Sequence, residues 1–363
     1  MHGRKIRIKT VIILITILLL CSCGKKEEDK EISKQEETVE EPIENKPEET
    51  VVPEETPEES VSLGVEVIDE GDIIFYSSDG YYRYGPSIMK YEDGSMDAWF
   101  SAPGNSGSQW DWITYRHSDD GVNWSEEEVV LRPTPGSEDQ CSVCDPGLIY
   151  FDGYYYMGYT STSDYGHKGA NNSAFVARSE YPDGPFEKWN GSGWGGDPMP
   201  IIRYENDPEG WGIGEISFVI NNDDLFIYYT YYDVNGGCVN LNKADLVENW
   251  PLTMREKGTV LSRDTQDSLD VVYCEDLDLY LGFSIDRRMN VDSRLIMYES
   301  KNGKQFIKSD STKKYIEDYA HNMGIAKSKE GHIVTSEPVL IGYAYGEDWG
   351  RWNAKFQYVN IYH

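Results

Sequence analysis

The chain has 363 residues and a formal net charge of -31, long enough for one large domain and too acidic for a surface that holds nucleic acid or an anionic membrane, which needs clustered Lys and Arg. A neutral partner such as a glycan is compatible with that field. All 10 Trp, 27 Tyr and 10 Phe lie beyond residue 62, so the folded domain is expected to span 63–363, leaving 1–62 for another purpose.

Residues 1–23 carry Arg4, Lys5, Arg7 and Lys9, then an apolar run from Val11 to Leu20, then Cys21-Ser22-Cys23. A basic flank followed by about 10 apolar residues is an export signal, because a membrane span needs about 20. The ending Leu20-Cys-Ser-Cys23 resembles the lipobox of bacterial lipoproteins, which implies cleavage before Cys23 and acylation of its sulfur; Cys21 after Leu18-Leu-Leu is the alternative. The protein is therefore expected outside the cytoplasm, attached to the membrane by lipid alone. Residues 24–62 repeat Pro-Glu-Glu among Lys, Thr and Val. They bury too little apolar surface to offset the entropy of ordering, and read as a disordered acidic tether.

From Val65 onward strand signals begin, and one pattern recurs. Gly85-Pro-Ser-Ile, Asp145-Pro-Gly-Leu, Glu215-Ile-Ser-Phe, Ser268-Leu-Asp-Val and Asn322-Met-Gly-Ile each open an apolar strand that runs into a turn and a second strand. In the third copy, Trp211 to Tyr232, an Asn/Asp turn between the strands reads as a β-hairpin. A repeat of roughly 50 to 70 residues, whose single sheet cannot bury its own face, predicts an all-β fold, a five-bladed β-propeller. The starts of its innermost strands converge on the axis, which makes Gly85, Asp145, Glu215, Ser268 or Asp270, and Asn322 neighbours in space. A second element, Ser118 to Trp124, Ser179 to Phe186 and Ser300 to Phe306, suits outer turns whose aromatic plugs the gap between blades. Tyr343 to Trp352 is expected to close the ring. Cys141, Cys144, Cys238 and Cys274 leave three disulfide connectivities or buried thiols open, and Cys141-Ser-Val-Cys144 lacks a second pair at zinc spacing.

The run Asp145-Pro-Gly-Leu-Ile-Tyr-Phe-Asp-Gly-Tyr-Tyr-Tyr-Met-Gly-Tyr-Thr, with Glu215 heading the next repeat, resembles the five-bladed glycoside hydrolases of family 43 and their relatives. The similarity covers most of residues 70–363 as a blade rhythm. It implies hydrolysis of an oligo- or polysaccharide by two carboxyl groups facing each other across a sugar, with Glu215 as general acid and Asp145 tuning it. On that scheme Glu215, desolvated and beside an ionised Asp145, holds its proton near neutral pH. The family's base in the first blade is absent, since that position is Gly85. Asp111 in Trp110-Asp-Trp-Ile113, and Asp267 or Asp270, are the carboxylates that could replace it. Each also fits a turn or strand end bonding backbone amides. A glycoside phosphorylase, or a sugar-binding lipoprotein without activity, are the alternatives that Gly85 favours.

Trp110, Trp211 and Tyr82 are candidate platforms for sugar rings, and Asn322 a polar contact. The Gly-His at Gly331-His332 matches a fifth-blade motif whose imidazole, in the family, orders the cavity or helps hold a central cation, so the resemblance admits a structural Ca2+. A monomer is expected.

Overall fold

The computed structural model describes residues 63–106, 109–167, 169–262, 267–309 and 314–362. The export signal, Cys23 and the tether lie outside the described residues.

The fold is an all-β propeller. Among the described residues the only helical element is a short 3-10 turn, Trp250–Thr253. Two sheets are four-stranded antiparallel meanders: Ser142–Phe151, Tyr154–Thr162, Ser173–Ser179 and Glu187–Lys188, and then Gly212–Asn221, Asp224–Asp233, Gly236–Asp245 and Arg255–Ser262. A third sheet runs from Asp270–Cys274 through Leu279–Asp286 to Ser293–Ser300, whose outer edge carries Ile307–Lys308 and Lys314–Glu317. The fourth, nine-stranded sheet contains two antiparallel units. Tyr84–Lys90, Met96–Ser106, Gln109–Ser118 and Glu128–Leu131 form one; Ala320–Lys327, Val339–Tyr345, Asn353–Tyr362 and Gly64–Val67 form the other. A short parallel pairing of Ala326 and Lys327 with Ile88 and Met89 joins them.

Each unit buries its faces against its neighbours, as a sheet apolar on both sides must. Phe283 and Leu281 pack with Ile325 and Ile341, Tyr156 and Val176 with Phe218 and Ile227, and Phe226 and Tyr228 with Val271 and Tyr280. The aromatics after the outer turns fill the seams between units. Trp124 meets Phe356 edge-on at 5.2 Å, and Phe306 meets Tyr228 at 5.9 Å.

Two expectations need correction. The ring is closed not by Tyr343 to Trp352 but by Gly64–Val67, which pairs antiparallel with Asn353–Tyr362 in the register Gly64 to Tyr362. The fifth copy is not simply strand, turn and strand either: Ala320–Lys327 pairs with Val339–Tyr345, and between them His332–Ile333 pairs in parallel with Tyr273 and Cys274 of the preceding unit. The Glu330-Gly-His332 turn is thereby drawn across to that neighbour. All four cysteines of the domain are free thiols.

The third residue of two repeats is glycine because neighbouring inner strands touch there through their backbones. A Cβ on Gly147 would lie 1.9 Å from the Ile216 carbonyl oxygen, and one on Gly324 1.9 Å from that of Pro86. Gly324→Ala is expected to cost about 3 kcal/mol, read as a lower urea midpoint. Gly193→Ala, where a Cβ meets nothing within 4 Å, should leave the midpoint nearly unchanged.

Candidate active site

Among the described residues four inner strands begin with the same irregularity. The antiparallel register slips between Tyr84 and Ser87, Cys144 and Gly147, Gly214 and Ser217, and His321 and Gly324. In each bulge one residue takes a left-handed conformation: Gly85 at φ 57°, Asp145 at 49°, Glu215 at 50° and Asn322 at 45°. Gly, Asn and Asp visit that region readily, whereas Glu lacks a short side chain to bond locally. Glu215 is therefore held in a corner that its backbone disfavours, a strain of the order of 1 to 3 kcal/mol. Neighbouring strands fix these corners. The Asp145 amide donates to Ser101 Oγ at 2.8 Å, the Glu215 amide to Thr160 Oγ1 at 2.9 Å, and the Asn322 amide to Asp267 Oδ2.

The corners open into a cavity of about 590 Å3 whose walls include Tyr82, Trp110, Asp111, Trp211, Arg288 and Trp349. Asp145, Glu215 and Asn322 belong to it and also to a narrow axial channel of about 40 Å3 lined by Gly85, Gly147 and Asp270. Sequence positions spread over more than half the chain thus meet as expected: Glu215, Asp145, Asp111, Trp110, Trp211, Tyr82 and Asn322 share one cavity.

Asp145 is only 8% exposed. Burial, and after it the charge of Glu215, hold its carboxyl well above the usual carboxylate range. Its Oδ1 has no partner among the described residues, while Oδ2 lies 3.4 Å from the Cys144 thiol. The sequence scheme has an ionised Asp145 beside Glu215, whereas burial and the neighbouring carboxylate raise the Asp145 carboxyl. Both carboxyls line the cavity and the axial channel, and the charge of Glu215 acts on Asp145 there. Glu215 Oε1 accepts from Asn322 Nδ2 at 3.1 Å, Asn322 Oδ1 accepts from Arg288 Nη2 at 3.3 Å, and Arg288 Nε pairs with Asp267 Oδ1 at 2.9 Å. A chain of alternating donors and acceptors thus runs from the pair to an ion pair in which Asp267 is buried and Arg288 stays partly exposed.

Asp111 stands elsewhere on the wall. Burial pushes its carboxyl up to about 6, although hydrogen bonds from Tyr82 and Ser142 oppose the rise. The Tyr82 hydroxyl donates at 2.6 Å and the Ser142 hydroxyl at 3.0 Å.

Asp270 and His332 do not join the cavity. Asp270 turns into the axial channel, where Oδ1 accepts from Lys327 Nζ and Ser217 Oγ, each at 2.6 Å, and Oδ2 from the Ile325 amide at 2.9 Å. Its lone pairs are committed to joining three inner strands. His332, carried away by its turn, bonds the Ile220 carbonyl oxygen at 2.6 Å and Glu275 at 2.8 Å and lines a separate hollow of about 260 Å3. A central Ca2+ does not fit these residues. Among the described residues no group of three or more His, Cys, Asp or Glu could hold a metal, and the Lys327 ammonium already neutralises the axial carboxylate Asp270.

Sequence reasoning missed Arg288 and Trp349. Arg288 sits in a turn where Arg287, Met289 and Asp292 are all left-handed, pinned by the Met289 amide to the Ala320 carbonyl oxygen at 3.0 Å. Its inward aim comes from this backbone, for which Arg-Arg-Met-Asn gives no periodic signal.

No protein-family model matches the sequence, and no curated protein sequence matches it. Solved structures do share the fold. A family 117 glycoside hydrolase of the marine bacterium Zobellia galactanivorans is 15% identical, over 82% of this chain and 90% of its own, at a TM-score of 0.59. An alpha-L-arabinofuranosidase from Podospora anserina is 12% identical over 79% and 94%, at 0.56. An endo-arabinase from Bacteroides thetaiotaomicron is 14% identical over 78% and 96%, at 0.52.

The Tyr82 hydrogen bond favours ionised Asp111, so Tyr82→Phe should raise the Asp111 titration midpoint above its value near 6. Carboxyl carbon NMR of wild type and variant checks the direction. Because the folded value exceeds the unfolded one of about 3.9, protonated Asp111 favours the fold, and that contribution fades as pH rises from about 4 to about 6.

Proposed function

We propose that this protein is a glycoside hydrolase acting on a neutral oligo- or polysaccharide. The observation that carries the reading is the strained corner where Glu215 and a buried Asp145, its carboxyl raised by burial, form the floor of an aromatic-walled cavity. A carboxyl pair that retains one proton near neutral pH is a proton donor for a glycosidic oxygen. Glu215, the more exposed member, presents that proton, and Asp145 behind it keeps the proton on the pair. Asp111, its carboxyl pushed up by burial to about 6 and so ionised at neutral pH, acts as general base in place of the carboxylate missing at Gly85. It takes a proton from water as that water attacks the anomeric carbon, while the carbon–oxygen bond to the leaving sugar breaks and the pair's proton passes to the leaving oxygen. This single displacement inverts the anomeric centre.

The comparisons support the same chemistry by fold, since the neighbours named above are glycosidases. Phosphorolysis is less well supported, because the one basic side chain among the described residues lining the cavity, Arg288, is already paired with Asp267. Glu215→Gln should lower kcat by about a hundredfold or more on substrates with poor leaving groups, and proton NMR of the fresh product should show the inverted anomer. Glycan binding with no turnover by the wild type would make this a sugar-binding protein instead, and retention would remove Asp111 as base.

The basic flank, short apolar run and Cys23 support export and attachment to the membrane through a lipid on that sulfur, with the acidic segment 24–62 as tether. Cys23→Ser should release the protein from the membrane fraction or leave it unprocessed. Unchanged fractionation of both Cys23→Ser and Cys21→Ser would rule the anchor out.

A further inference from the structure

Of the ten tryptophans only Trp349 is markedly exposed, at 77%, and it stands on the wall of the cavity that holds the carboxyl pair. Leaving an indole in water forgoes the free energy of burying it, so its position calls for a cause. Disorder is not that cause, because the ring is braced. Trp349 meets the buried Trp352 edge-on at 4.4 Å and 85°, and Trp352 is wedged in turn against His321 at 4.6 Å, Tyr84 at 5.3 Å and Tyr82 at 5.5 Å. The loop is tied down as well, by Arg351 to Asp79 at 2.5 Å and to Asp348 at 3.4 Å. A large apolar ring thus rests at the cavity with one edge against Trp352 and its surface open, so part of the cost of ordering it for a ligand is already met.

The cavity exceeds the needs of one sugar. At about 590 Å3 it lies mid-range for sites that enclose ligands of several rings. The carboxyl pair marks where a bond is cleaved, on the floor, so a ring bound there leaves the rest of a chain to run outward past the wall. We infer that Trp349 is the stacking platform for a second sugar ring, apart from the ring held over Asp145 and Glu215, and that the ligand is an oligosaccharide of at least two units. Apolar C–H faces of a pyranose or furanose cover the indole, recovering the free energy that the free protein forgoes. The inference rests on the glycan reading above and adds to it a length requirement and a residue that sets it.

The test uses the full chain carrying Glu215→Gln, to prevent turnover, screened on an array of neutral arabino-, xylo-, galacto- and agaro-oligosaccharides from one to four units. Calorimetry then follows the glycan bound and the methyl glycoside of its terminal sugar. Adding Trp349→Ala should weaken the tetrasaccharide by about tenfold and leave the methyl glycoside within about twofold, with Trp349→Phe recovering most of the loss. Unchanged tetrasaccharide affinity, or equal weakening of both ligands, overturns the platform while leaving the glycan reading intact. Absence of binding to every glycan by the Trp349 protein removes both readings together.

Discussion

The structure depends on a backbone corner repeated around an axis. At the head of four inner strands an extra residue is forced into a left-handed bulge, and the bulge turns that side chain out of the strand's alternation and toward the centre. Because the sheets stack radially, residues from separate repeats converge without any local sequence relation. The corner conformation is cheap for Gly85, Asp145 and Asn322 and unfavourable for Glu215, so the position where the chain tolerates strain is also the one carrying the long carboxylate. Neighbouring strands bear that strain through the Thr160 hydroxyl and the Asn322 amide.

Charge in the cavity is managed by separation and by pairing. Asp270 receives an ammonium and two further donors, Asp267 a guanidinium and a backbone amide, and both become structural. Asp145 has less: the Cys144 thiol and the Thr160 hydroxyl, set against burial and a like-charged neighbour. In a low-dielectric site such a carboxyl keeps its proton. Acids of similar sequence appearance thus meet different partners in the fold, and the one left with the fewest donors has its carboxyl raised by burial.

Much of this was legible in the sequence because it is periodic. The repeated apolar strands gave the propeller, and the shared position of Asp145 and Glu215 within their repeats gave the floor of the cavity. What could not be read depends on loops and on direction. Asp270 lies two places beyond the corner position, and that small offset sends it down the axis toward Lys327. His332 fits a motif by spelling, but the parallel pairing of its turn with Tyr273 and Cys274 takes it elsewhere. Arg288 and Trp349 come from irregular turns, where burial and aim follow from tertiary bracing, and no hydrophobic rhythm marks them.

Closure of the ring by Gly64–Val67 carries a consequence for how the domain is born. This first strand has its partner, Asn353–Tyr362, roughly 300 residues later, among the most distant pairings a chain of this size can make. Emerging first from synthesis, it must wait with open hydrogen-bonding edges while the intervening repeats assemble, and Leu63 and Val65, fully buried at the end, stay in water meanwhile. The intervening repeats can stack one on the next by local hairpins. The last sheet cannot be completed until the two ends of the domain meet.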